Sequence, residues 1–449
     1  MSFQQGLSGL NATSKSLEVI GNNIANASTY GAKAARAEFS DFYSAALNGS
    51  TASSAGIGTF LANISQQFTQ GSITATDNPL DIAINGRGFF QVSDGVSPTK
   101  YSRNGQFKLD REGFIVNNAG LKLLGYEADL GTGQIKPGLA VPIKLPTGGI
   151  APQATQKMTM QINLDATKKV TKPVTAPNID FADATTYNNA TSLTVYDAKG
   201  SPVAMTYYFQ RASGPTKANP NDPDVWEVYV TANGLTVSPT GATDNSAPES
   251  IGTITFDPSG AKPSAFAPAT GFTGVIDPQT NKIEIGFAPV TGGPGSSGLI
   301  PQTIDGMTLS MEVTQFAAPF GVTDLTQDGF SAGQLVSIGI EDNGIVTARY
   351  SNGQTKSAGQ IEVANFRNVQ GLQPLGDNVW AYTYASGDPV TGVPGEGNLG
   401  VLQAGALEES NIDLTGELVN MITAQRAYQA NAQTIKTMDQ AMQTLVNLR

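Results

Sequence analysis

The sequence contains no cysteine and no histidine. Disulfides, thiolate nucleophiles, metals held by cysteine or histidine, and imidazole acid–base catalysis are thereby excluded. Charge is sparse: 14% of the residues are Asp, Glu, Lys or Arg, with a formal net charge of -11. Between Lys282 and Arg349 there is no basic residue. Affinity for nucleic acid rests on clustered Lys and Arg, so no nucleic-acid partner is expected. No apolar run reaches the length of a membrane span, and Met1 to Asn11 shows neither a basic leader nor an apolar stretch. Neither membrane insertion nor a cleaved signal peptide is therefore expected. Only a signal-independent route would carry such a chain outside the cell.

What is present is glycine (50), proline (25) and enough hydrophobic residues (39%) for sizeable cores. Glycine and proline at that level predict many short strands and turns rather than helical bulk. A length of 449 residues predicts two to four folded units.

The two ends differ from the middle. In the stretch Ser2–Ala46, Phe3, Leu10, Leu17 and Ile24 recur every seven residues, with Leu7 and Ile20 broadening the stripe. Ser28 to Gly31 ends the first helix. In the stretch Ala406–Arg449, Leu414, Met421, Tyr428, Ile435 and Met442 form one row. Ala424, Asn431, Met438 and Leu445 form a second, three residues on. This is a heptad pattern free of proline, with Asn411 or Asp413 as the N-cap and Glu417 at the positive end of the helix. A heptad stripe alone is as well explained by a helix packed on its own domain. Here the intervening sequence is β-like, so the apolar stripes are left for each other, or for other subunits, to cover. The expected assembly interface is Phe3, Leu7, Leu10, Leu17, Ile24, Leu414, Leu418, Met421, Tyr428, Ile435, Met438, Met442 and Leu445.

Between the ends, Asp110–Gly113, Asp197–Gly200, Asp257–Gly260, Asp342–Gly344 and Ser351–Gly353 read as turns. Leu193–Tyr196, Val203–Phe209, Val225–Val230 and Leu335–Ile340 read as strands. The expected architecture is α+β and multidomain, with paired, coiled-coil-like terminal helices and discontinuous, mostly antiparallel β-domains inserted between them. Residues 1–48 with 404–449 form an inner helical domain, and 49–70 a flexible linker, low in complexity from Asn48 to Gly58. Residues 71–148 with 326–403 form an inner β-domain, and 149–325 one or two inserted outer β-domains.

Motifs for chemistry are thin. Asn85-Gly-Arg-Gly88 lacks the third glycine and the following helix of a nucleotide loop, and suits a turn before the strand Phe89–Val92. The acidic loops at Asp277–Glu284 and Glu341–Gly344 do not follow calcium-loop spacing. Paired carboxylates could hydrolyse glycosides, but their separation is spatial and invisible in sequence. No catalytic residue, cofactor or metal is expected.

Several blocks carry a family resemblance. Gly6–Ala12 with Ile20–Asn26 resembles the N-terminal signature of the rod–hook family of bacterial flagellar axial proteins. Asn78–Phe90 and Tyr101–Asp110 resemble its next two blocks, and Ser410–Ile422 with Gln425–Asn431 its C-terminal signature. Gly376–Trp380, Gly359–Asn365 and Thr444–Arg449 are similar to the hook branch in particular. The resemblance covers roughly residues 1–148 and 329–449, and is weak between them, at Met160–Leu164 and Ser192–Asp197. Ala32 departs from it, the family having an aromatic residue after Tyr-Gly. The resemblance implies a non-enzymatic, extracellular subunit of a helical tube, exported by the flagellar type III apparatus without a cleaved signal peptide. Its implied partners are copies of itself and the distal rod, hook cap and hook–filament junction proteins. The alternatives are a rod or hook-associated axial protein and, more remotely, a secreted carbohydrate-active β-protein.

Overall fold

The computed structural model describes residues 2–42, 58–129, 133–136, 138–173, 178–216, 218–238, 242–244, 248–258, 260–277, 279–292, 304 and 306–447. The chain is mostly β-sheet with a helix at each end and divides into two compact units. The first comprises Met1–Thr147, Leu335–Arg349 and Thr355–Arg449; the second comprises Gly148–Gln334 and Tyr350–Gln354.

In the first unit, helix α1 runs from Ser2 to Asn26. It ends where the backbone turns at Gly31, with φ of 71°. A Cβ there would stand 2.6 Å from the backbone nitrogen of Asn104, so only glycine fits the passage. The expected helical region to residue 48 is not all helix, because Ala35–Phe42 is a strand, β1. It pairs antiparallel with a second strand, β2, at Gly58–Gln66, from Ala35 opposite Gln66 to Phe42 opposite Gly58. Alanines at 34, 35 and 37 favour a helix, but the ladder supplied by β2 outweighs so weak a preference. The expected linker 49–70 is corrected likewise. Residues 49–57 lie outside the described residues, and Thr59, Phe60, Leu61 and Ile64 are strand formers carried by β2.

The body of this unit is built around the strand Phe89–Ser93, which pairs antiparallel with Lys100–Ser102, Lys122–Glu127 and Val363–Asn365. Successive side chains of a strand point to opposite faces. Phe90 thus enters a core with Ile84, Ile115 and Leu123, and Phe89 enters another with Tyr101, Phe366 and Trp380. Aromatic rings in the second core meet edge to face, Phe89 and Trp380 at 5.8 Å between centroids.

The end of the chain closes this unit. Val401–Ala404 pairs with Ile82–Asn85, and Ala406–Glu408 with Ile73–Ala75. The helical stretch therefore does not reach back to residue 404 or 406; α2 runs from Leu414 to Asn447, starting directly after Asp413, one of the two expected caps. Asp413 is its cap, accepting from the backbone N–H of Thr415 at 3.0 Å.

In the second unit, Lys157–Asp165 lies between Thr308–Phe316, to which it is parallel, and Gly321–Gln327, to which it is antiparallel. The expected boundary at 325 thus falls inside a strand, and the unit closes nine residues further on, at Gln334. A second sheet contains Asn189–Tyr196, Pro202–Ser213, Asp224–Ala232 and Ser250–Phe256. One continuous core joins the two sheets, with Met160, Met311, Tyr207, Phe209 and Trp226 all fully buried. Asp197–Gly200 and Asp257–Gly260 close as turns, each through a backbone hydrogen bond of 2.9 Å.

Trp226 is the largest of these buried side chains, and its Nε1 finds no hydrogen-bond partner among the described residues. Trp226→Ala is expected to destabilise the second unit by about 3–5 kcal/mol. Trp226→Phe, which also removes the unpaired donor, is expected to cost less than about 1.5 kcal/mol. Chemical denaturation followed by circular dichroism checks both.

Candidate assembly site at the paired termini

Helices α1 and α2 lie side by side in opposite directions. Asn23 of α1 donates from Nδ2 to Glu417 Oε1 at 3.3 Å, near the start of α2. Two turns' worth of glycine then brings the backbones close. A Cβ at Gly9 would be 3.0 Å from Asn431 Nδ2, and one at Gly6 would be 3.1 Å from Ile435 Cγ1. Small residues on one helix thus accept large ones on the other.

The expected interface residues divide between this seam and open surface. Leu10, Leu17, Ile24, Met421, Ile435 and Met438 are half-buried. Leu7, Leu414, Leu418, Tyr428 and Met442 are exposed. The side chains of Phe3 and Leu445 lie outside the described residues. Residues passed over in the sequence are as instructive. Val19, beside Ile20, is buried in α1, and Gly6 and Gly9 set the closeness of the helix pair. Their three-residue spacing on the apolar stripe was the available signal. On α2, Leu414, Leu418 and Ile422 follow one another at four-residue spacing and remain exposed with Val419. They form a second apolar face, away from the seam.

Helices α1 and α2 and strand β1 bound a groove of about 610 Å³. Val19 and Ile20 line it together with small residues, among them Ala12, Ser16, Ala35 and Ala424.

The passage from α1 to β1 is held by side chains distant in sequence. Ala35 N donates to Asn23 Oδ1 at 2.9 Å, and Asn23 Nδ2 returns a bond to Ala35 O at 2.8 Å. Ala34 N donates to Asn411 Oδ1 at 2.8 Å, while Asn411 Nδ2 donates to Gln67 O at 2.7 Å. The two asparagines stand in for missing strand neighbours, which is how this buried backbone is satisfied. Ala32, where the resembled family has an aromatic residue, is buried beside them.

Below the passage lies a buried ionic triad. Glu408 accepts from Lys33 Nζ at 2.5 Å, from Arg103 Nη1 at 3.1 Å and from Gly71 N at 3.0 Å. The Glu408 side chain has no exposed area, and those of Lys33 and Arg103 are 1% and 6% exposed. Lys33 donates also to Thr69 O at 2.8 Å, and Arg103 Nη2 to Gly86 O at 2.9 Å. The Arg103 guanidinium sits 5.3 Å from the Phe89 ring centroid, a cation–π contact. Burial pushes Lys33 below its ordinary value, opposed by the Glu408 carboxylate. Burial pushes Arg103 down as well. No sequence signal marked this triad, whose members come from three distant segments.

Helical at both ends and mostly β between, the chain matches family models of flagellar basal body and hook proteins along most of its length. Residues 3–33 match the family described as flagella basal body rod protein, and 403–448 the C-terminal family of the flagellar basal body rod FlgEFG proteins. Residues 83–197 match the flagellar hook protein FlgE/F/G D1 domain, and 163–330 the flagellar basal body protein FlaE D2 domain. The flagellar hook protein FlgE of Salmonella typhimurium is 40% identical over 457 residues, covering 100% of both chains. That of Escherichia coli K12 is 40% identical over 454 residues, again covering 100% of both. The chain belongs to the flagellar hook protein family. The crystal structure of Helicobacter pylori flagellar hook protein FlgE2 superposes with a TM-score of 0.49 at 14% identity, over 76% of this chain and 100% of that one.

Proposed function

We propose that the chain is the structural subunit of a flagellar hook. It polymerises with copies of itself into a short curved tube that passes torque from rod to filament. The observation that carries this reading is the helix pair made from both chain ends, whose apolar side chains Leu414, Leu418, Val419 and Ile422 remain exposed in the single chain. Exposed apolar rows on a structured helix call for covering by protein.

A universal joint bends freely while resisting twist, and the two demands fall on different parts. Coiled-coil-like packing of terminal helices between subunits supplies dense contacts that do not deform continuously. The β units, polar on their surfaces, slide past neighbours through weak, hydrated contacts. No metal, cofactor or catalytic step enters this role. The subunit works outside the cell, reaches its place through the flagellar type III apparatus, and meets the distal rod, hook cap and hook–filament junction proteins at the ends of the tube.

Electron microscopy of the concentrated chain tests the reading. Curved tubes are expected; stiff straight rods would instead assign the chain to the rod, and an absence of any polymer would count against both. Removing residues 148–334 and rejoining the flanks is expected to leave the inner unit folded and polymerising, with altered tube curvature. Ile150 and Gly333 exchange backbone hydrogen bonds of 2.8 and 3.2 Å, so the two ends of the excised segment lie side by side. An insoluble product, or one without a cooperative melt, would show that the inner unit depends on the outer.

A further inference from the structure

The groove bounded by α1, β1 and α2 and the far end of α2 are separate places on one chain, and each lacks what the other offers. Val19, Ile20 and Phe39 line the groove together with small side chains such as Ala12 and Ala424, and the charged Arg36 and Glu417. Ala12 to Ile20 spans about 12 Å of helix. Beyond Met438 the seam between α1 and α2 gives out. Every side chain from Asp439 to Thr444 is exposed, and Met442 is 61% exposed on the same row as Ile435. From Asp439 to Asn447 is also about 12 Å of helix. Gln440 to Asn447 includes no charged residue, so burying this segment strips water from no ion.

The end of α2 cannot enter the groove of its own chain. Ala424 lines that groove, and Met442 stands about 27 Å further along one continuous helix. Resting on the hook reading, we infer that the groove receives the last turns of α2 from a second copy of the chain, with Met442 as the anchor. Each copy then gives a helix end to one neighbour and a groove to another. Such a contact joins unlike surfaces and does not close on itself unless the rotation happens to return, which is how open helical polymers arise. A methionine suits the task, being unbranched and able to fill an irregular apolar space.

The lack of native cysteine makes the test direct. One preparation carries Ser16→Cys and another Ala441→Cys, next to the anchor, both mild replacements at a half-buried and an exposed position. Polymers grown from the mixture are expected to form covalent dimers under a short bifunctional maleimide, while polymers of either variant alone are not. A chain carrying both substitutions is expected to give a ladder of higher multimers. Ala427→Trp, which fills the groove from its rim, is expected to raise the concentration needed for polymerisation at least tenfold, with the melts of the β units unmoved. Tubes that form without the mixed cross-link, or an Ala427→Trp chain that polymerises like the parent, would overturn the inference and leave the hook reading standing. Failure of the unsubstituted chain to polymerise at all would overturn both.

Discussion

Replacing Glu408 with alanine is expected to destabilise the first unit by about 3–5 kcal/mol, the usual consequence of deleting one partner from a buried ionic group. Lys33 and Arg103 would be left as two like charges in a site that excludes water, their side chains being 1% and 6% exposed. The Gly71 N–H would also lose its acceptor. The penalty comes from stranding the two cations, not from the worth of the ion pairs themselves. Replacing all three residues together, with Lys33→Met, Arg103→Met and Glu408→Leu, is therefore expected to recover much of the loss. The two tryptophans make the measurement clean, since Trp226 lies in the second unit and Trp380 in the first. In a Trp226→Phe background, Trp380 fluorescence during urea unfolding reports the first unit alone. A loss below about 1 kcal/mol would mean that water reaches the site and that the triad does not hold the passage from α1 to β1.

Ile435→Asp is expected to abolish tube formation and motility. Ile435 lies against Gly6 in the seam, so aspartate there places a carboxylate between two helices. The cost is several kcal/mol per subunit, repeated through the polymer. Met438→Asp, three residues on along the same face, is expected to behave alike. Both changes should lower the helical circular dichroism of the single chain, because the seam already exists within it. Neither should move the melts of the β units. Gln433→Asp, on the exposed side of α2, serves as the control and is expected to polymerise normally. Normal tubes from the Ile435 or Met438 variants would remove the helix pair from the assembly mechanism.

Local signals in the sequence translated well and distant ones did not. The heptad rows gave α2 because a 3.5-residue period is written in consecutive residues. Asp197–Gly200 and Asp257–Gly260 gave their turns because an Asp side chain and a glycine three positions on suffice to bend a chain. Ala35–Phe42 was misread because its own residues favour a helix and its strand partner begins at Gly58, across a segment that reads as linker. Ala406–Glu408 was misread for the same reason, its partner being Ile73–Ala75. Ile435, expected at an interface, packs against Gly6 of its own chain, and periodicity cannot distinguish a seam within a chain from one between chains. Lys33, Arg103 and Glu408 were beyond reach, since nothing in residue 33 announces residue 408.

That last separation has a kinetic consequence. The first unit is completed by strands at 401–404 and 406–408 lying on strands at 82–85 and 73–75, so its closing contacts join residues more than three hundred apart. Loop-closure entropy must be met before such contacts give any return, and folding dominated by them is slow. A chain threaded through a narrow conduit therefore cannot finish this unit while either end is still inside, whichever end leads. The segment 148–334 holds its own core and can fold as soon as it has emerged. The subunit is expected to mature in sequence: first the inserted unit, then the sheet of the first unit, and the helix pair last, when both ends are free and a growing tube is there to receive them.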